Sequence, residues 1–367
     1  MRLILLYLLV QGCASLQVLM YLNAIGRSHV QHAEKLIEVI NGAGHQVDLI
    51  MGHMNKEVKL KGTYGARRVV INDYTARSKW NEDASHLVDP FKSVSQWNPL
   101  AEQNIAFYQG IEGMCDVMLR NTEIHTLLRT TKYDVIMTTA YESCPNALFY
   151  YYDQGPIVSF AATPAVEYQN YYAGLPELPL YGNNIFNTNF GDPRLFSQRL
   201  YNTLLSMNIR LTHARHIERM NAKLRIFFGP EFPDVREILR NNSLDFTNSH
   251  PLLEEPKPIS FRSRYIGGIG LPEPKRVSEE LDATLNLSSK GNVIFSFGTQ
   301  VPADRFSSQL VQTFLRAFQN FPEYNFLWKF DGTTKFNVSN VHNLKWLPQT
   351  DLLYDPRVVG FISHMGL

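Results

Sequence analysis

Apolar residues first gather in Leu16-Gln17-Val18-Leu19-Met20-Tyr21-Leu22, a run suited to a strand covered on both faces. Asn23 to Arg27 read as a loop. Ser28-His29-Val30-Gln31 has a capping-box pattern in which Ser28 accepts from the backbone of Gln31. Val30, Ala33, Ile37 and Ile40 share one helical face, and Gly44 is a natural stop. Gln46 to Met51 returns as a second strand. A strand–helix–strand unit of this length predicts parallel strands in an α/β sheet.

Residues 95–130 read as helical and lead into Tyr133-Asp134-Val135-Ile136-Met137, a short apolar strand. The stretch 161–193 is rich in Tyr, Pro, Gly and Asn, which suits either loops lining a small-molecule cleft or an ordinary long insertion. Pro272, Pro274 and a cluster of charges mark a linker. A second α/β unit then begins with the strand Val293-Ile294-Phe295-Ser296-Phe297 and the tight loop Gly298-Thr299-Gln300. Phe306, Leu310, Phe314 and Phe318 give the next helix, and residues 325–330 the next strand. The expected architecture is α/β: two Rossmann-like domains facing across a cleft, the second incomplete. The expected divisions are an N-terminal domain over 16–270, a linker over 271–290 and a partial C-terminal domain over 291–367.

A length of 367 residues agrees with two domains. The formal net charge of +1 gives no basic field for nucleic acid and argues against any polyanionic partner. Arg2, the apolar run Leu3 to Val10 and the small residues Gly12 to Ser15 read as a signal peptide over 1–15, with a buried first strand as the alternative. Eight apolar residues are too few to span a bilayer. Of three cysteines, Cys13 belongs to that leader, while Cys115 and Cys144 are free to pair in an oxidising lumen without any pattern that demands it. Three sequons, at Asn241, Asn286 and Asn337, are within the number expected by chance.

The C-terminal residues carry the chemistry. Trp346-Leu347-Pro348-Gln349, Leu352-Leu353, Asp355-Pro356 and Phe361-Ile362-Ser363-His364-Met365-Gly366 resemble the signature of UDP-glycosyltransferases of the UDP-glucuronosyltransferase type. Ser296-Phe297-Gly298-Thr299 is similar to that family's Ser-x-Gly-Ser/Thr turn, and Ser28-His29 to its first strand–helix junction. The resemblance implies a GT-B fold and transfer of glucuronate or glucose, with inversion, from a UDP-sugar to a hydroxyl of a small lipophilic acceptor. It implies a donor site of Ser296, Gly298, Thr299, Trp346, Leu347, Gln349, His364 and Gly366. An indole at 346 can stack on uracil, Gln349 can reach the ribose, and His364 at a strand–helix turn meets the diphosphate. His29 is the implied general base, kept neutral by the helix N-terminus. No metal or other cofactor is implied, since backbone dipoles meet the diphosphate and no Asp-x-Asp motif occurs.

Three departures open a competing reading. The family's Thr-Asp-Pro type motif falls on Thr138-Thr139-Ala140, so Thr139 stands at the position of the usual acid partner, and Glu142 is the nearby candidate substitute. Met365 follows His364 where Gly is usual. The resemblance also implies a ribose-binding Glu, an Asp-Gln pair for the sugar and a membrane anchor beyond Leu367. A non-catalytic chain that binds acceptor-like molecules, or pairs with itself or related chains, is therefore the second reading. A two-lobed periplasmic-type binding protein accounts for the architecture alone. The expected location is the secretory pathway, in the lumen of the endoplasmic reticulum.

Overall fold

The computed structural model describes residues 15–78, 99–165, 167–176, 192, 194–254, 257–298, 306–334 and 336–363. The signal peptide expectation falls on residues 1–14 and so lies outside them. The described chain divides into two compact units, with the boundary between Gly270 and Leu271.

In the first unit, β1 (Gln17–Asn23), β2 (Gln46–His53), β3 (Arg68–Asp73), β4 (Val135–Thr139), β5 (Ile157–Ala161), β6 (Leu244–Thr247) and β7 (Ser263–Tyr265) make one sheet. Its order is β3-β2-β1-β4-β5-β6-β7, and every pairing is parallel. Parallel strands are covered on both faces, and β1 shows why its sequence is apolar throughout. Val18, Met20 and Leu22 pack with α1 (Arg27–Gly42) on one face, through its Val30, Ala33, Leu36 and Ile37. Leu19 and Tyr21 pack on the other. That second face is covered by α2 (Pro99–Met118), α3 (Thr122–Thr130), α4 (Cys144–Tyr151), α6 (Phe196–Phe228) and α7 (Val235–Arg240). A short α5 (Glu167–Tyr172) lies in the stretch expected as loop. A disulfide joins Cys115 of α2 to Cys144 at the start of α4, with the Cα atoms 5.7 Å apart.

Ser28 does not cap α1. The helix begins one residue earlier, at Arg27, with Gly26 in an extended conformation as its N-cap and no side-chain cap bond. Gly44 ends the helix as expected: its φ of +86° is open to glycine at no steric cost, and its N–H donates to the Asn41 carbonyl.

The second unit holds α8 (Glu279–Leu285), β8 (Asn292–Ser296), α9 (Ser308–Gln319), β9 (Asn325–Lys329), β10 (Val341–Leu344), α10 (Gln349–Leu353) and β11 (Val358–Ser363). Its strands run parallel in the order β10-β9-β8-β11. Residues 279–285, expected within a linker, are helical: Ser278 accepts from the Leu281 N–H, and Leu281 and Leu285 pack with Ile294, Leu327, Leu347 and Leu352. The other face of the sheet is aromatic. Phe295 lies 4.9 Å from Trp328, and Phe318 stacks on Phe326 at 4.1 Å. Phe306, expected in the helix, reaches this cluster from ahead of it, because Ser307 is the N-cap of α9.

Candidate functional site

Each sheet reverses its strand order once beside its first strand, between β1 and β4 and between β8 and β11. Crevices at the carboxyl ends of such strands are where open α/β sheets collect ligands. The candidate residues sit there. His29 lies in the first turn of α1, just after β1, while Thr139 ends β4 and Glu142 follows it.

His29 is packed against Tyr141, with ring centroids 5.8 Å apart, and its Nδ1 is buried with no hydrogen-bond partner. Burial, helped by the neighbouring His32, lowers its pKa to about 4, so the imidazole is neutral near pH 7. Glu142 is 4% exposed. Thr139 Oγ1 donates to it at 2.6 Å, Tyr21 Oη at 3.4 Å, and Asn23 Nδ2 also donates. Those three donors favour the carboxylate, yet burial outweighs them and raises its pKa to about 7. Thr139 and Glu142 are thus brought together. Among the described residues, neither is hydrogen-bonded to His29, so no acid–His29 pair is formed.

Below Glu142 a cavity of about 30 Å³ is lined by Thr138, Ser143, Asn146, Tyr172, His213 and Asp245, among others. That is room for a water or a single hydroxyl group. Thr138 Oγ1, Ser143 Oγ and Asn146 Oδ1 are buried there without partners. The far wall comes from α6, and sequence reading missed it entirely. His213 is held between Tyr108 Oη at 3.0 Å and Tyr172 Oη at 2.9 Å, and His216 Nδ1 lies 2.8 Å from Glu112, which Arg219 also grips. Glu112 and His216 stand 104 residues apart in the chain, and nothing local in either segment signals the pair.

In the second unit, Ser296 at the end of β8 donates to Gln349 Oε1 at 3.0 Å and accepts from the Gly298 N–H at 3.3 Å. Gly298 has a φ of +70°, which explains the glycine in that turn. Trp346 is 63% exposed, in contrast to the core tryptophan Trp328 at 1%. Leu347 is different: its side chain is buried in the core with Leu281, Ile294 and Leu352. The structure brings Ser296, Gly298 and Gln349 together, and Ser363 pairs in register with Ser296. Thr299, His364 and Gly366 lie outside the described residues. No cluster of three or more His, Cys, Asp or Glu able to hold a metal occurs among the described residues.

This pair of parallel α/β units is the GT-B glycosyltransferase fold. It resembles the kitacinnamycin glycotransferase at a TM-score of 0.59 and 16% identity, covering 96% of this chain and 76% of that one. Phytolacca americana UGT2, solved with UDP-2fluoro-glucose and pterostilbene, gives a TM-score of 0.54 at 13% identity over 95% and 76% of the two chains. The chain belongs to the UDP-glucoronosyl and UDP-glucosyl transferase family, whose sequence model matches residues 17–367. UDP-glucosyltransferase 2 of Dactylopius coccus is 29% identical over 254 residues, 69% of this chain and 49% of that protein. The ecdysteroid UDP-glucosyltransferase of Spodoptera littoralis nuclear polyhedrosis virus is 26% identical over 271 residues, 71% and 52%. The match thus spans about half the length of these relatives.

The two buried groups give opposite pH dependences. Glu142 has a pKa of about 7 when folded against 4.5 unfolded, so its stabilising contribution is complete below 4.5 and is lost as pH rises through 7. His29, lowered from 6.5 to about 4, contributes above 6.5, and that contribution is lost as pH falls toward 4. Glu142→Gln should therefore flatten the fall in stability between about pH 5 and about pH 8. Urea unfolding of both proteins at the two pH values measures it; equal pH responses would place Glu142 in water.

Proposed function

We propose that this chain supplies the acceptor side and part of the donor side of an inverting glycosyltransferase that moves glucuronate or glucose from UDP to a hydroxyl of a small lipophilic acceptor. The carrying observation is His29: a half-buried, neutral imidazole with its Nδ1 enclosed, in the first turn of α1 at the strand-order reversal of the first sheet. In the step proposed, the acceptor oxygen bonds to the anomeric carbon as that carbon's bond to the UDP oxygen breaks. UDP leaves with the electron pair, and the hydroxyl proton passes to His29. Trp346 stacks on uracil, and Ser296, Gly298 and Gln349 form the described part of the nucleotide site. Thr299, His364, Gly366 and the Leu347 backbone complete it. The diphosphate is met by backbone dipoles, and no metal is called for. The relatives' names, a UDP-glucosyltransferase and an ecdysteroid UDP-glucosyltransferase, support the donor class and an apolar acceptor.

The Cys115–Cys144 disulfide supports residence in an oxidising compartment, the lumen of the endoplasmic reticulum. A second reading, a chain that binds without transferring, alone or paired with related chains, is favoured by one arrangement. Glu142 is satisfied by Tyr21, Asn23 and Thr139, and among the described residues His29 Nδ1 has no hydrogen-bonded carboxylate to stabilise a proton.

Trp346→Ala should weaken UDP binding by roughly 1–3 kcal/mol, the range for loss of base–aromatic stacking. Calorimetry with UDP checks this, and an unchanged affinity removes Trp346 from the site. His29→Ala should abolish transfer to phenolic acceptors while leaving UDP affinity as it was. Turnover by His29→Ala at the wild-type rate would give the base role to another group; no turnover by either protein would leave binding as the function.

A further inference from the structure

Glu142 lies in the turn 140–143, between the end of β4 at Thr139 and the start of α4 at Cys144. The near end of that turn has polar ties: the Ala140 N–H donates to the Phe160 carbonyl, and Tyr141 Oη lies 3.0 Å from Thr163 Oγ1. The far end is different. Ser143 is the N-cap of α4, yet its side chain makes no cap bond and its Oγ is buried without a partner. A serine in that position ordinarily accepts from a first-turn N–H and so fixes where the helix starts. Here the next residue, Cys144, is bonded to Cys115 of α2. A covalent bond stands where the cap is missing.

The same helix α2 reaches Glu142 from a second direction. Met114, the neighbour of Cys115, packs over Gly52 of β2 together with the Tyr21 hydroxyl. A Cβ at Gly52 would lie 3.4 Å from Met114 Sδ and 2.7 Å from Tyr21 Oη. That hydroxyl is one of the donors to Glu142. Tyr21, Cys115 and Cys144 belong to one buried cluster, so a single bond ties the helix that confines Tyr21 to the turn that carries Glu142. At 1% and 2% exposure the two cysteines are shielded from thiols in solution, which makes the bond a fixture rather than a switch. We infer that Cys115 and Cys144 are positioning residues for Glu142: their bond keeps the carboxyl among Tyr21, Asn23 and Thr139 and out of water. This rests on the position of Glu142 and on no step of the proposed transfer.

Without the bond, water should reach the carboxyl. Burial is the largest influence on Glu142 and acts upward, so solvation moves its pKa down from about 7 toward 4.5. The other titratable groups facing it are Tyr21 from β1, Tyr141 in the same turn, and Tyr172, His213, His216 and Asp245 across the cavity. They are unchanged by the substitutions below, so a difference in titration reports the surroundings of Glu142. Carbon-13 NMR of protein labelled at the glutamate carboxyls, with Glu142→Gln to assign the signal, reads that titration. In Cys115→Ala/Cys144→Ala the acid constant of Glu142 should rise at least about tenfold. Cys115→Val/Cys144→Ala, which refills part of the sulfur volume without the bond, should show the same rise and serves if the first variant does not fold. Both should unfold at a lower temperature than the wild type, as loss of any structural disulfide would cause. A lower midpoint with Glu142 still titrating near 7 overturns the inference, because the bond then braces the fold and not the carboxyl.

Discussion

Parallel strands leave all their carboxyl ends on one edge of the sheet, and a reversal of strand order opens a crevice in that edge. In the first unit that crevice lies between β1 and β4. Residues at the ends of those two strands and just after them collect there, and here they are His29 after β1, Thr139 at the end of β4 and Glu142 after it. Burial sets their protonation. The imidazole is driven to its neutral form and the carboxyl toward its protonated form, which inverts the usual order of their pKa values, to about 4 for His29 and about 7 for Glu142. An unpaired charge in such a place is costly, so near pH 7 His29 rests neutral while Glu142 is only about half ionised.

This arrangement meets half the needs of a general base. A neutral imidazole is ready to accept a proton, and burial makes the resulting imidazolium unfavourable unless a carboxylate stands beside it. Glu142 instead spends its hydrogen-bonding capacity on Tyr21, Asn23 and Thr139. Thr139, where the family resemblance leads one to look for an acid, acts as a donor to Glu142. The two readings of function differ at this one contact.

The strands were legible where one physical pattern dominated. The apolar run of β1 and the strands after Tyr133 and Lys290 fall within a residue or two of their expected places, because burial on both faces demands continuous apolar sequence. The Trp346 to Gln349 segment was readable from residue types in order, and the exposure of Trp346 with the Ser296–Gln349 bond gives that reading a geometry. The capping box failed because Gly26 took the N-cap position without a side-chain bond. The longest helix, α6, left no readable period: polar Asn202, Ser206, His216 and Asn221 are buried while leucines face outward, so the usual apolar stripe points away from the core. The cavity wall it builds was invisible for the same reason, since its histidines are satisfied by Tyr108, Tyr172 and Glu112 from distant segments.

The claim on which this account rests is that His29 is a half-buried, neutral base. An NMR pH titration of the protein labelled at histidine ring carbons and nitrogens, with His29→Gln to assign the signal, measures it directly. The account predicts that His29 stays neutral down to about pH 4, well below the free-histidine value of 6.5. Titration near 6.5 would show a solvated imidazole and contradict it.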